Sequence, residues 1–261
     1  MNQHELIVKE LQTGYGEKTV IKELSLTIPS NKISVIIGAN GCGKSTLLKT
    51  LSRLLKPKHG TILLDDKSIN EYSSKNIARI IGLLPQSPVI PEGITVADLV
   101  SRGRYPYQKM FQGMTRADYK AVEEALELMG ILDLADVSVD ELSGGQRQRV
   151  WIAMSLAQDT DILLLDEPTT FLDIAYQVEI LEKLTELNRK KGTTIVMILH
   201  DINLSAKYAD YLIAMKKGAV VAAGTPTEIV TEEVMKEIYD LNCIVCEDPL
   251  CGAPYIIPRK N

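Results

Sequence analysis

Hydrophobic and polar positions divide the chain into stretches of different rhythm. From residue 5 to 37 the apolar runs are short and strand-like. Ile21, Leu24, Leu26 and Ile28 follow the pattern of a half-buried antiparallel strand, and Ile33 to Ile37 is nearly continuously apolar, as in a parallel strand buried on both faces. That second run ends at Gly38 and is followed by Lys44-Ser45-Thr46-Leu47-Leu48, which begins a helix. Tyr72 to Leu84 holds a short helix and another strand, closing at Pro85-Gln86. The period then becomes helical from Ser87 to about Gln158. Pro88, Pro91 and Gly93 mark a loop, Thr95 caps a helix through Val100, and Arg116 to Met129 spaces Tyr119, Val122, Ala125, Leu126 and Met129 along one face. Another helix starts at Ser143 and runs through Trp151 and Leu156.

Strands and helices alternate again beyond this point. Asp161 to Asp166 reads as a strand, Ile174 to Arg189 as a helix, Thr193 to His200 as a strand and Leu204 to Ala209 as a helix. Tyr211 to Met215 and Val220 to Ala223 form a hairpin about Lys217-Gly218. This order predicts an α/β fold: a parallel core sheet, an antiparallel β subdomain and a helical insertion. The predicted organisation is a core of residues 1–86 and 159–230 that includes the antiparallel strands, a helical subdomain of 87–158, and a tail of 231–261. The tail begins helically and ends in a Pro-containing segment.

Chemistry concentrates where strands end. Gly38-Ala39-Asn40-Gly41-Cys42-Gly43-Lys44-Ser45 fits G-x-x-x-x-G-K-[ST] in full, between an apolar strand and a helix. Glycines allow the backbone to wrap a phosphate, and the amides at a helix start favour an anion. Lys44 would reach the outer phosphates of a nucleotide and the Ser45 hydroxyl would ligate Mg2+. Ile162-Leu163-Leu164-Leu165-Asp166-Glu167 is a buried strand that delivers two carboxylates at its C-terminal end. Asp166 suits Mg2+ and Glu167 suits a general base for an attacking water. His200 follows a strand and fits either a structural or a catalytic role. Gln86, at a strand end, fits a plain polar boundary residue. Ser143-Gly144-Gly145-Gln146 at a helix start is either a flexible cap or a second anion site.

Composition removes some function classes. The 261 residues are 45% hydrophobic and 24% charged, which suits a globular chain with a sizeable core. A net charge of −5 argues against nucleic acid as partner. No apolar run reaches the roughly 18 residues of a spanning helix, and MNQHELIVKE has no secretory or lipidation pattern. The expected location is the cytoplasm, with any membrane role reached through partners. Cys243, Cys246 and Cys251 are spaced C-x2-C-x4-C, either as a partial metal or redox site or as a tail that happens to carry cysteines. Cys42 lies near a helix start and Lys44, which should lower its thiol pKa and make it reactive; packing beneath the loop is the other reading.

Leu142-Ser143-Gly144-Gly145-Gln146, lying between the phosphate loop and the acidic strand end, resembles the signature of ATP-binding-cassette (ABC) ATPases. With it, the motifs from Tyr15 to His200 resemble a nucleotide-binding subunit of an ABC transporter over about the first 230 residues. The resemblance implies a P-loop NTPase cassette with ATP and Mg2+ as cofactors. It makes Gly38, Asn40, Gly41, Cys42, Gly43, Lys44, Ser45 and Thr46 the phosphate loop, Tyr15 the adenine stack, and Asp166 and Glu167 the Walker B pair. His200 becomes the switch histidine, and Gln86 the Q-loop residue that senses Mg2+ and water. Ser143, Gly144, Gly145 and Gln146 would complete the site of a second subunit, and Asp173 in Thr170-Phe171-Leu172-Asp173 would cross that interface.

The implied assembly is a head-to-tail homodimer on the cytoplasmic face of the membrane. It would contact two integral-membrane permeases through the helical subdomain and, indirectly, an extracellular substrate-binding protein. Arg102-Gly103-Arg104-Tyr105-Pro106, the TTFLD segment and the tail from Asp248 resemble importers of iron-siderophores, haem and cobalamin. Haem, cobalamin or zinc/manganese import are the alternatives, and a non-transport ABC protein is a further one. Two departures from the family pattern stand out: Asn31 where glycine is common, and Ala39 in place of proline.

Overall fold

The computed structural model describes residues 4–86, 92–109, 113–170 and 172–260. Pro88, Pro91 and Phe171 lie outside the described residues. Two compact units result, one from 1–71 with 194–261 and one from 72–193.

The first segment supplies β1 (Leu6–Tyr15), β2 (Lys18–Ile21), β3 (Leu26–Ile28), β4 (Ile33–Ile37), α1 (Lys44–Leu51), β5 (His59–Leu64) and β6 (Lys67–Ser68). β1 is the spine of an antiparallel sheet. It pairs with β3 at Leu6↔Ile28, with β5 at Leu6↔Leu64 and with β2 at Tyr15↔Lys18, while β6 extends β5. Leu6, Val8, Leu11 and Thr13 point into the core. A bulge interrupts the β1–β5 ladder between Lys9 and Gln12, and there Glu10 takes a left-handed backbone (φ 48). Gly60 faces it, and a Cβ at that position would stand 2.2 Å from the Glu10 carbonyl oxygen. Before β4, Asn31 is also left-handed (φ 58), a conformation that explains why glycine suits this position and why asparagine replaces it at small cost.

Residues 72–193 contain α2 (Ser74–Ile77), β7 (Ile81–Leu84), α3 (Val96–Ser101), α4 (Arg116–Leu128), α5 (Gly144–Ala157), β8 (Ile162–Asp166) and α6 (Ile174–Lys191). β7 and β8 are parallel neighbours in register from Ile81↔Ile162 to Leu84↔Leu165. Local sequence sets the helix ends. Thr95 accepts from the Asp98 amide, Thr115 and Asp118 form a reciprocal capping box, and Gly192 closes α6 in the left-handed region after Arg189, Lys190 and Lys191. Leu99 and Val100 of α3, Val122 and Leu126 of α4, and Val150 and Ile152 of α5 are all buried.

The motif Arg102-Gly103-Arg104-Tyr105-Pro106 has a packing role here. It forms a 3-10 turn in which Arg104 Nε donates to Asp118 Oδ1 (2.9 Å) and Nη1 donates to the Ala157 carbonyl (2.8 Å). The guanidinium also stacks 3.9 Å from the Tyr107 ring centroid. Gly103 packs so closely that a Cβ would lie 2.3 Å from the Met154 carbonyl oxygen on α5.

The last segment returns to the first unit with β9 (Thr194–Ile198), α7 (Ile202–Tyr208), β10 (Tyr211–Lys216), β11 (Ala219–Gly224), α8 (Pro226–Ile229), α9 (Glu232–Tyr239), β12 (Cys243–Glu247) and β13 (Pro254–Pro258). β4 lies between β9 and β10, parallel to both, and β11 adds antiparallel to β10. Lys217 (φ 46) and Gly218 (φ 82) make the two-residue turn between β10 and β11. The segment read as a Pro-containing tail ends in a hairpin of β12 and β13. Asn203 of α7 clamps it by accepting from the Ile256 amide (2.8 Å) and donating to its carbonyl (3.3 Å). Among the described residues no helix is long and apolar enough to cross a membrane.

Candidate functional site

In the first unit, β4 ends at the phosphate loop and α1 begins after it. Gly38 lies at φ 145, and a Cβ there would meet the Met215 carbonyl oxygen at 2.2 Å and Cys42 Sγ at 2.9 Å. Gly41 (φ 76) and Gly43 (φ 112) continue the wrap, with nothing within 4 Å of a Cβ built on Gly41. Neighbours brace the loop. The Gly218 amide donates to the Cys42 carbonyl (2.8 Å), the Cys42 amide to the Ala39 carbonyl (3.2 Å), and the Gly38 amide to the Tyr239 hydroxyl (2.8 Å). Lys44 is 6% exposed, and its Nζ donates to the carbonyls of Gly38 (2.7 Å) and Ala39 (3.2 Å). Amides in the first turn of a helix have no intrahelical acceptor. Together with a buried ammonium and the space above Gly41, they form a donor set that fits the phosphates of a nucleotide.

Ser45 is half-buried and Thr46 is buried, whereas Asn40 and Gly41 face solvent. Tyr15, at the end of β1, exposes its ring beside α1, with the Lys49 ammonium 6.0 Å from the ring centroid. His200 follows β9, the parallel neighbour of β4 with Ile36↔Ile198 in register. The loop and His200 therefore leave the same C-terminal edge of the sheet, where α/β folds gather ligands. Asp201, which the sequence pattern did not single out, caps α7 by accepting from the Leu204 amide (2.8 Å) and so fixes the backbone next to His200.

Cys42 differs from the sequence expectation. Burial pushes its thiol pKa up, and the pull of Lys44 in the other direction is the smaller effect. The tail cysteines are dispersed: Cys243 is buried, Cys246 and Cys251 are exposed. No group of three His, Cys, Asp or Glu residues with metal-binding geometry occurs among the described residues.

In the second unit, the C-terminal ends of β7 and β8 bring Gln86 and the pair Asp166-Glu167 to one edge of the parallel ladder. Asp166 is 2% exposed. Glu167 has a left-handed backbone (φ 57), which for a non-glycine residue marks strain of the kind found at functional turns. The Thr170 hydroxyl donates to Glu167 Oε2 (3.1 Å).

The signature begins α5. Ser143 Oγ accepts from the Gln146 amide (3.3 Å) and Gln146 Oε1 accepts from the Ser143 amide (3.0 Å). A Cβ on Gly144 would meet nothing within 4 Å, and one on Gly145 would touch Leu172 Cδ2 at 3.3 Å. Gln148 Nε2 donates to the Pro168 carbonyl (2.9 Å), tying α5 to the segment that follows Glu167. Asp173 begins α6 without a side-chain capping bond and is exposed. A cavity of about 390 Å³ adjoins the helix start, lined by Ser143, Gly145, Gln146, Arg149 and Tyr176 among others. Arg149 is held there by Glu179 (2.6 Å) and stacks 4.8 Å from the Tyr176 ring centroid.

Each unit thus gathers part of the site residues read from the sequence: Tyr15, the phosphate loop and His200 in one; Gln86, Asp166, Glu167, the signature and Asp173 in the other. Gln148, which bonds the Pro168 carbonyl, carries no motif signal apart from its adjacency to the signature, and the sequence marks Thr170 only as the start of the segment that ends at Asp173.

Known proteins resemble this chain in sequence and fold. The pattern of the ABC transporter family matches residues 21–170. The ferric enterobactin transport ATP-binding protein FepC of Escherichia coli (strain K12) is 53% identical over 250 residues, spanning 96% of this chain and 92% of FepC. Among solved structures, an inward-facing transporter described as metal-chelate type ABC aligns with TM-score 0.84 at 28% identity, covering 99% of this chain and 98% of that one. The dimeric structure of MJ0796, a bacterial ABC transporter cassette, aligns with TM-score 0.75 at 28% identity, covering 84% and 98%.

Proposed function

Because the chain belongs to the ABC transporter family, we propose that it is the ATP-hydrolysing subunit that powers import of a ferric siderophore through a membrane permease. The observation that carries the ATPase reading is the buried Lys44 ammonium, held by the Gly38 and Ala39 carbonyls at the start of α1. A charge kept this far from water needs a countercharge, and a nucleotide phosphate supplies one. The amides of Asn40, Gly41, Gly43, Lys44, Ser45 and Thr46 cradle the phosphates. Gly38 and Cys42, whose amides are engaged by Tyr239 and Ala39, shape the loop. Tyr15 stacks on the adenine.

Mg2+ would be held by Ser45, Gln86 and Asp166, and when bound it neutralises charge on the phosphates. Glu167 takes the proton of the attacking water, and His200 contacts the terminal phosphate. Ser143, Gly144, Gly145 and Gln146 offer a second anion site at the start of α5. One ATP does not need two such sites in one chain. In a head-to-tail homodimer each ATP lies between the loop of one copy and the signature of the other, with Asp173 at the interface. The dimeric solved cassette supports this reading. The helical subdomain (87–158) meets two permeases at the cytoplasmic face of the membrane, and an extracellular binding protein delivers the substrate. The tail of 231–261 is a segment apart in sequence from the core of 1–86 and 159–230, and its helix α9 packs back on that core through Tyr239.

The substrate reading is supported by the similarity to FepC, a ferric enterobactin transport ATP-binding protein, at 53% identity. Its test is uptake of radiolabelled ferric siderophore by iron-starved cells that lack this gene. Uptake should be lost, then restored by the wild-type chain and not by Lys44→Ala. Undiminished uptake in the deletion would reject the substrate, and equal rescue by Lys44→Ala would reject the ATPase role.

A further inference from the structure

We propose that Tyr239, at the end of the C-terminal helix α9, is a positioning residue of the phosphate-binding loop, because its hydroxyl accepts the Gly38 amide hydrogen at 2.8 Å and so anchors the residue whose carbonyl holds Lys44. This rests on the nucleotide reading of the loop.

Gly38 is the first residue beyond β4 and sits at φ 145, a conformation closed to other residues. The same residue makes two bonds of opposite sense. Its amide donates to Tyr239, and its carbonyl accepts from Lys44 Nζ at 2.7 Å. The two bonds lie on the peptides that flank the Gly38 Cα, so a displacement of Gly38 that releases the first also shifts the acceptor of the second. The contact spans 201 residues of sequence, so only the tertiary fold can supply it.

α9 presents the ring firmly. Thr231 caps the helix by accepting from the Val234 amide, and Met235 (0% exposed) and Ile238 (3%) anchor its inner face. Asp240 ends it directly after Tyr239 in the left-handed region (φ 55). Burial pushes the Tyr239 hydroxyl pKa up to about 12; the Gly38 amide opposes this and Cys42 adds to it. The phenol is therefore neutral at pH 7, and its oxygen accepts from the Gly38 amide as a neutral hydroxyl.

Without the hydroxyl, the buried Gly38 amide has lost its acceptor and the loop spends less time in the conformation that receives phosphate. The full-length Tyr239→Phe chain keeps the ring and loses only the oxygen. We expect its Kd for MgADP, measured by calorimetry, to rise about tenfold. KM for ATP should rise with kcat nearly unchanged, and Cys42 in nucleotide-free protein should alkylate severalfold faster. A Kd within twofold of wild type would overturn the proposal. So would a fall in kcat at unchanged KM, the mark of a smaller folded population. Lys44→Ala is the control for the underlying reading. If it binds MgADP as wild type does, the nucleotide assignment fails and the proposal falls with it; if it loses binding while Tyr239→Phe does not, only the role of Tyr239 is refuted.

Discussion

The hydroxyl of Thr170 donates to Oε2 of Glu167 at 3.1 Å, three residues along the loop that leaves β8. The backbone amide of Thr170 also points at the Glu167 carbonyl (3.3 Å). This small closed turn holds a carboxylate whose own backbone is in a strained, left-handed conformation (φ 57). A base must be aimed before it can act on a proton.

Thr170→Val keeps the shape and removes the hydroxyl. A hydrogen bond to a charged group contributes about 1.5–3 kcal/mol, so losing it should lower kcat for ATP hydrolysis by about tenfold or more. ATP affinity should change little, since Thr170 is not among the phosphate-binding groups. Steady-state kinetics separate the two quantities, and a raised KM at unchanged kcat would contradict this role.

Arg104 and Asp118 form a buried pair, with side chains 8% and 5% exposed. Removing one member leaves an uncompensated buried charge, a loss of about 3–5 kcal/mol. Arg104→Met should therefore destabilise the protein by roughly this amount in urea unfolding. For Asp118, burial pushes the carboxyl pKa up, but bonds from Thr115 and Arg104 outweigh it and hold the group below its ordinary value. A depressed folded-state pKa means that the stabilisation is complete above the unfolded value near ~3.9. It is lost as pH falls through the lower folded-state value. Wild type should lose more stability than Asp118→Asn on acidification through this window, and parallel curves for the two would contradict the assignment.

Cys42 tests the balance between burial and charge. With burial dominant, the thiol is mostly protonated at neutral pH, so alkylation should be slow at pH 7 and accelerate as pH rises toward and past the ordinary thiol value of 9.0. Alkylation should block ATP hydrolysis, bound ATP should protect, and Cys42→Ala should resist the reagent. Rapid labelling at pH 7 would indicate a depressed thiol instead.

Features that depend on a few adjacent residues were legible in the sequence. The helix starts at Thr95 and Ser143 follow from a side-chain oxygen placed three residues before a backbone amide, a relation contained in four positions. The turn at Lys217-Gly218 and the apolar run of β4 are equally local. What was not legible depends on distant parts of the chain. Tyr239 gives no sign of its partner at Gly38, and the C-terminal hairpin depends on Asn203, some fifty positions before Ile256. Of the two Cys42 readings, the lowered pKa erred because proximity to Lys44 is visible in the sequence whereas the depth of burial is not, and packing beneath the loop fits its 5% exposure. Arg104 stood out as part of a family motif, and its bond to Asp118 gives that motif a packing reason.

The central claim is that the signature on α5 completes the site of another copy of this chain, and its most direct test is the oligomeric state of Glu167→Gln in ATP. This variant keeps every binding group and loses the base, so ATP should hold it together. Light scattering on the purified chain should give the monomer mass without nucleotide and twice that mass with MgATP, with hydrolysis abolished. Adding Ser143→Arg should return it to a monomer that still binds ATP. A Glu167→Gln chain that binds MgATP and remains a monomer, or that turns ATP over at the wild-type rate, would contradict the claim.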